Sequence, residues 1–320
     1  MTDTPMIVTE ALSKQYGDVR AVEDFDLVVQ TGSIVGLLGP NGAGKTTAVR
    51  ILTTLTRADS GRAWVAGHDV QADPAAVRRA IGVTGQAATL DDTLTGRQNL
   101  IMIGQLSRLS RGHAKKRAAE LLELFELTDA ADRMVRGYSG GMRRRLDLAG
   151  SLVMAPPVLF LDEPTTGLDP NSRQRMWAVI RRLVEEGATV LLTTQYLDEA
   201  DSLADRVVVM NHGRVIAQGT PAELKASTGS QLLDVTLSLP HPLAERALAA
   251  LASGSISVRQ DGKRLRVPAR NQPGLAVAAL RALDEVGASV EDIMVHTPSL
   301  DDVFALLTGA TPEQDEGVAA

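Results

Sequence analysis

The chain has no cysteine, so disulfides and thiolate metal sites are excluded, which fits a reducing compartment. Aromatic residues make up only 3 %, so its cores must be mostly aliphatic. No apolar run approaches the ~20 residues a membrane-crossing helix needs. A membrane role would therefore be exercised from the surface, through a partner. Positive charge is not in excess: 33 Lys and Arg stand against 39 Asp and Glu, a formal net charge of -6. No global basic field favours nucleic acid, and no nucleic-acid partner is expected. Residues 1–10 lack a basic-then-apolar pattern, so no leader is expected.

What is present is ordinary in bulk and specific in detail. The 320 residues suggest two domains, and 44 % hydrophobic with 22 % charged content is usual for a folded soluble chain. The most specific stretch is Gly39-Pro40-Asn41-Gly42-Ala43-Gly44-Lys45-Thr46-Thr47. It follows the apolar run Ile34 to Leu38 and leads into Ala48-Val49-Arg50-Ile51-Leu52, which reads as strand, glycine-rich turn, helix. The spacing G-x-x-x-x-G-K-T is that of a phosphate-binding loop. Glycines let backbone N–H groups turn toward an anion, and the helix points its positive end at the same place. Lys45 would reach β- and γ-phosphates, and the Thr46 hydroxyl would ligate Mg²⁺.

Other stretches gain meaning from that loop. Residues 6–9 and 26–29 read as strands of an antiparallel sheet. Between them, Tyr16 offers a flat face for an adenine ring, although a structural tyrosine before a turn is an equal reading. Gln86 ends an apolar strand, where its amide oxygen could ligate Mg²⁺ or orient water, or simply face solvent. Residues 94–129 show helical spacing, with Leu100, Ile103, Leu106 and Leu109 on one face. The basic cluster Arg108, Arg111, Lys115, Lys116 and Arg117 reads as a solvated face. Ser139 is a good N-cap, and Gly140-Gly141 exposes N–H groups at a helix start, a second anion-binding position. Val158 to Leu161 followed by Asp162-Glu163-Pro164 is a buried strand ending in two acids. Asp162 would hold Mg²⁺ beside Thr46, and Glu163 would polarise the attacking water as general base. Residues 189–194 are a further buried strand, followed by Gln195. Asn211-His212-Gly213 suggests a hairpin, and Thr220-Pro221-Ala222-Glu223 a capped helix start.

Residues 6–225 resemble the nucleotide-binding subunit of an ATP-binding cassette (ABC) transporter. The motifs stand in that family's order: aromatic loop at Tyr16, phosphate loop, Q-loop at Gln86, signature at Ser139-Gly140-Gly141, acid pair at Asp162-Glu163, D-loop at Leu168-Asp169, switch at Gln195. The three-arginine helix after the signature, the stretch from Thr194 to Ala200 and the C-terminal extension resemble the daunorubicin-resistance type of bacterial drug exporter. The resemblance implies a RecA-like α/β phosphate-loop core with an antiparallel N-terminal subdomain and a helical subdomain. It implies ATP hydrolysis with Mg²⁺ and a head-to-tail homodimer with two ATP molecules sandwiched between the copies. Each would lie between one copy's phosphate loop and the other's Ser139-Gly140-Gly141. Separate integral membrane permease subunits would carry the cargo, with this chain peripheral on the cytoplasmic face. Two positions depart from the family pattern: Met142 replaces the glutamine after the signature, and Gln195 replaces the switch histidine. An amide can donate to the γ-phosphate but cannot become cationic, so slow turnover leaning on Glu163, Lys45 and Mg²⁺ is expected.

Beyond residue 230 the punctuation gives strand, helix, two strands, helix, strand, the order of a small ferredoxin-like α+β domain. It carries no catalytic set, so a regulatory or dimerisation role is expected. The domain reading is 1–228 for the cassette with its helical insertion at about 94–150, 229–309 for the second domain, and a disordered tail at 310–320. The resemblance implies export of a drug or other hydrophobic compound, and two other functions fit the sequence less well. A soluble cassette acting on ribosomes or DNA usually has two cassettes or a long coiled-coil insertion. A small-molecule kinase would not need the signature, D-loop or switch.

Overall fold

A hairpin with alternating burial opens the chain. In a computed structural model, which describes residues 4–85, 90–227, 231–259 and 261–308, β1 (Ile7–Tyr16) pairs antiparallel with β2 (Val19–Val29). Both strands run longer than residues 6–9 and 26–29, because the turn at Gly17-Asp18 lets pairing continue to Tyr16 and Val19. Register shifts with positive φ at Ala11 and Asp24 bend the ribbon. It next meets β3 (Ile34–Leu38), α1 (Lys45–Leu52), β4 (Ser60–Val65), β5 (His68–Asp69), α2 (Pro74–Ala80) and β6 (Ile81–Thr84). Strand order β2-β1-β4-β5 makes the antiparallel sheet. Helix α2 was not foreseen, although its start was written in the sequence: Asp73 caps Ala76 N–H at 3.0 Å and Pro74 stands at the first turn.

The helical insertion consists of α3 (Gly96–Leu106), α4 (Arg111–Leu124) and α5 (Gly140–Ser151). A reciprocal Thr95–Gln98 capping box starts α3, and Ser110 caps α4. Of the expected apolar stripe, Leu100 is buried but Leu106 faces out, 77 % exposed at the helix end. Then follow β7 (Val158–Asp162), α6 (Pro170–Glu185), β8 (Thr189–Thr194), α7 (Leu197–Leu203), β9 (Arg206–Asn211) and β10 (Arg214–Gly219). The second sheet has order β10-β9-β3-β8-β7-β6, with parallel pairing from β9 across to β6. Strands β3, β7 and β8 are wholly buried, as strands covered on both faces must be. Positive φ at His212 and Gly213 turns β9 into β10, the expected hairpin. The core is aliphatic around a few large rings, Phe25 and Phe160 among them.

The chain divides at Gln218/Gly219 into two units. The second holds α8 (Pro221–Ser227), β11 (Gln231–Leu237), α9 (Ala244–Leu248), β12 (Ser257–Val258), β13 (Arg264–Ala269), α10 (Leu275–Glu285), β14 (Val290–His296) and α11 (Leu300–Thr308). Its sheet, ordered β12-β13-β11-β14 and antiparallel throughout, is the ferredoxin-like arrangement. Leu233, Val235, Leu248, Val267, Ala279 and Leu283 form its own core. Thr220 and Glu223 cap α8 reciprocally at 2.8 and 3.1 Å, and Ser299 with Asp302 starts α11. The tail at 310–320 lies outside the described residues.

Candidate nucleotide-hydrolysis site

Three neighbouring strands, β3, β8 and β7, end at one edge of the parallel sheet. Their register sets Leu38 beside Thr194, and Thr193 beside Asp162. With strands roughly 5 Å apart, the phosphate loop after β3, Gln195 after β8 and the acids after β7 share a span of roughly 10 Å. Ligands of parallel α/β sheets bind at such carboxyl ends.

The phosphate loop joins β3 to α1 as the spacing predicts. Gly44 sits at φ 105° as the helix cap, and a Cβ there would overlap the Ala21 carbonyl oxygen. At Gly39 the Met210 carbonyl leaves no room for a side chain. Lys45 is buried, 5 % exposed, and donates to the Gly39 and Pro40 carbonyls. Burial pulls its pKa below the ordinary lysine value, while the carboxylates of Glu163 and Asp162 act the other way. The ammonium thus stands inside the loop, facing the acids. Thr46 is exposed and Thr47 half-buried beside it.

Asp162 is buried and accepts the Thr193 hydroxyl. Thr193 was missed by sequence reasoning; the signal was a hydroxyl in an otherwise apolar strand end. It also accepts the Glu163 N–H through its carbonyl and its hydroxyl, both at 3.1 Å. Glu163 adopts φ 50°, a left-handed conformation that costs roughly 1–3 kcal/mol in a non-glycine residue. Thr166 donates to its Oε2 at 3.2 Å. The strained residue directly follows the buried Asp162 at the end of β7.

At Gln195, half-buried, the chain leaves β8. The following residues are held by α6: Arg173 pairs with Asp198 at 2.8 Å and stacks on Tyr196, 4.8 Å from the ring centre. Trp177 and Thr165 donate to the fully buried Glu199 at 3.1 and 2.9 Å, and burial pushes that carboxyl up. Asp169 caps α6, taking Ser172 N–H at 3.0 Å and its hydroxyl at 2.6 Å. Here the D-loop acid works as a helix cap.

Two expected participants stand at other edges. Tyr16 ends β1, 47 % exposed, with the Lys14 ammonium 5.3 Å from its ring centre. Ser139 caps α5 by accepting Met142 N–H at 3.2 Å, and it is exposed with Gly140. A Cβ on Gly140 would meet nothing within 4 Å. Gln86 lies outside the described residues.

Among the described residues no three His, Cys, Asp or Glu converge as a metal cage. The Thr46 hydroxyl and the Asp162 carboxylate are hard oxygen donors. A sparse oxygen set is what Mg²⁺ uses when phosphate oxygens and water complete its shell, so the residues fit that ion.

Fold and site together define a phosphate-loop ATPase. The ABC transporter family model matches residues 22–166. The daunorubicin resistance ATP-binding protein DrrA2 of Streptomyces coeruleorubidus is 52 % identical over 97 % of each chain. The daunorubicin/doxorubicin resistance ATP-binding protein DrrA of Streptomyces peucetius is 50 % identical over 96 % of this chain and 93 % of that one. A solved ATP-binding subunit of an ABC transporter superposes with TM-score 0.63 at 27 % identity, covering 69 % of this chain and 92 % of the other. A cassette solved as a post-hydrolysis dimer bound to ADP and Pi gives TM-score 0.62 at 25 % identity, covering 67 % and 98 %. The chain belongs to the ATP-binding proteins of ABC transporters, of the same group as the daunorubicin and doxorubicin resistance proteins, and is an ATPase. No described helix is long and apolar enough to cross a membrane.

Proposed function

We propose that this chain energises export of a drug-like hydrophobic compound through separate membrane permease subunits, from the cytoplasmic face of the membrane. The observation that carries the hydrolytic reading is the convergence of Lys45, Asp162, strained Glu163 and Gln195 at one sheet edge. The export reading rests on the resistance proteins to which the chain is similar over nearly its full length.

Two copies close head to tail over two ATP molecules. The exposed Ser139-Gly140 start of α5, where a Cβ on Gly140 would meet nothing within 4 Å, supports a site completed by a second copy's nucleotide. In each site Tyr16 stacks on adenine, and residues 39–47 cradle the phosphates. Thr46 and Asp162, with Gln86, would hold Mg²⁺, which would neutralise phosphate charge when bound. Lys45 exchanges its loop carbonyls for phosphate oxygens. Glu163 accepts a proton from the attacking water, and the Gln195 amide donates to the γ-phosphate. Asp169 joins the partner's site at the closed interface. The second domain serves regulation or dimerisation.

Glu163→Gln keeps shape and removes the basic carboxylate. Turnover should fall by about 10²–10⁴-fold. ATP binding should persist, and the closed dimer should accumulate on a sizing column. Parent-like hydrolysis by this variant would show that Glu163 is not the base. Absence of Mg²⁺-dependent hydrolysis by the parent chain with its membrane partner would sink the slow-turnover reading of Gln195.

A further inference from the structure

The three arginines after the signature are not equivalent. Arg143 pairs with Asp92 at 2.8 Å, and Arg145 donates to the Phe125 carbonyl at 2.9 Å, both within the helical insertion. Arg144 turns the other way, into the parallel core. Its Nε donates to Pro164 O at 3.0 Å, its Nη1 to Gly85 O at 2.7 Å, and its Nη2 to Asp162 O and Glu163 O, each at 2.7 Å. One guanidinium therefore binds the carbonyls of three successive residues around the hydrolytic acids. It also binds the residue preceding Gln86. Its side chain is 14 % exposed, with Asp147 at 3.8 Å.

We propose that Arg144 is the positioning residue that holds the Glu163 turn in its left-handed conformation and sets the general base against the γ-phosphate. The turn is fixed from both sides. Thr193 takes its N–H, and Arg144 takes its carbonyl together with those of its two neighbours. Arg144 lies one helical turn into α5, whose first residues are Gly140 and Gly141. A shift of α5 thus moves the carbonyls that orient the base. The role needs a planar fork of several donors; a lysine ammonium has the charge but cannot span four divergent acceptors. The proposal rests on Glu163 being the base.

The test uses the full-length chain and five variants: Arg144→Lys, Arg144→Gln, Glu163→Gln, and each Arg144 change combined with Glu163→Gln. Misplacing a reacting group by about an ångström costs about 100-fold. Turnover of Mg²⁺-ATP should fall ~10-fold in Arg144→Lys and ~100-fold in Arg144→Gln, with KM for ATP within about threefold of the parent. In the Glu163→Gln background both changes should leave ATP-driven dimer closure at the same ATP concentration. Parent turnover in both variants overturns the proposal. So does a parallel loss of KM and closure, or an Arg144→Lys chain that fails to fold, since each marks a merely structural arginine. If Glu163→Gln alone hydrolyses like the parent, the base assignment fails instead; if it is inactive while both Arg144 variants run at the parent rate, only the positioning role fails.

Discussion

Lys45→Met separates nucleotide binding from folding at a single side chain. The buried ammonium makes two hydrogen bonds, to the Gly39 and Pro40 carbonyls. Charge-assisted hydrogen bonds contribute ~1.5–3 kcal/mol each, and desolvating the cation costs several kcal/mol in the opposite sense. Methionine has a similar reach, no charge and a flexible stem. The two terms nearly cancel, leaving a net change of about 1 kcal/mol, or ~2–4 °C in melting temperature for a unit of this size. Because burial sets the folded pKa below the unfolded one, the parent gains stability as pH climbs through the folded value. The variant should lack that rise. With ATP at a hundredfold excess over Kd, the parent gains about 2.7 kcal/mol, or ~5–10 °C. Losing the phosphate contact should weaken binding ~100-fold, which reduces the gain at the same ATP concentration to about 0.4 kcal/mol, ~1 °C. The assay is a thermal melt of both chains with Mg²⁺-ATP and with EDTA. A nucleotide-free variant melting more than ~10 °C below the parent would refute the cancellation. A parent-sized shift with ATP would refute the role of Lys45 at phosphate.

Two further outcomes follow from buried or vacant space. Burial raises the folded pKa of Glu199 above its unfolded value, so the folded chain binds more protons between the two and parent stability falls as pH climbs through that window. Glu199→Gln keeps an acceptor for Thr165 and Trp177, so its melting temperature should fall less with rising pH and match or exceed the parent at alkaline pH; a variant that melts lower at every pH refutes this. Gly140→Ala meets no atom in the single chain and gains up to about 1 kcal/mol of helix propensity, so it should melt at or above the parent. It should nevertheless abolish ATP-driven dimerisation in the Glu163→Gln background, and light scattering that detects an unchanged dimer would refute the composite site.

The residues of the phosphate loop, the acid pair and the signature were legible because each depends on local spacing: a turn that only glycine tolerates, a cap three residues from its acceptor, acids at the end of an apolar run. The same local logic revealed the hairpin at His212-Gly213, the capping box at Thr220 and the ferredoxin-like order of the second domain. Composition alone determined that the cores are aliphatic and free of disulfides. The full length of the β1–β2 hairpin escaped because cross-strand pairing extends it beyond the local signal, whereas α2 carried a local start, Asp73-Pro74, that was passed over. Tertiary structure decided what spacing cannot encode. Strand order β3-β8-β7 gathers three sequence-distant loops at one edge, because parallel pairing ignores sequence separation. Thr193 reaches Asp162 across a ladder, and Arg144 rather than Arg143 or Arg145 faces the core, because helical rotation points neighbouring side chains about 100° apart. Sequence supplies the chemical groups and their local backbone; packing decides which of them meet.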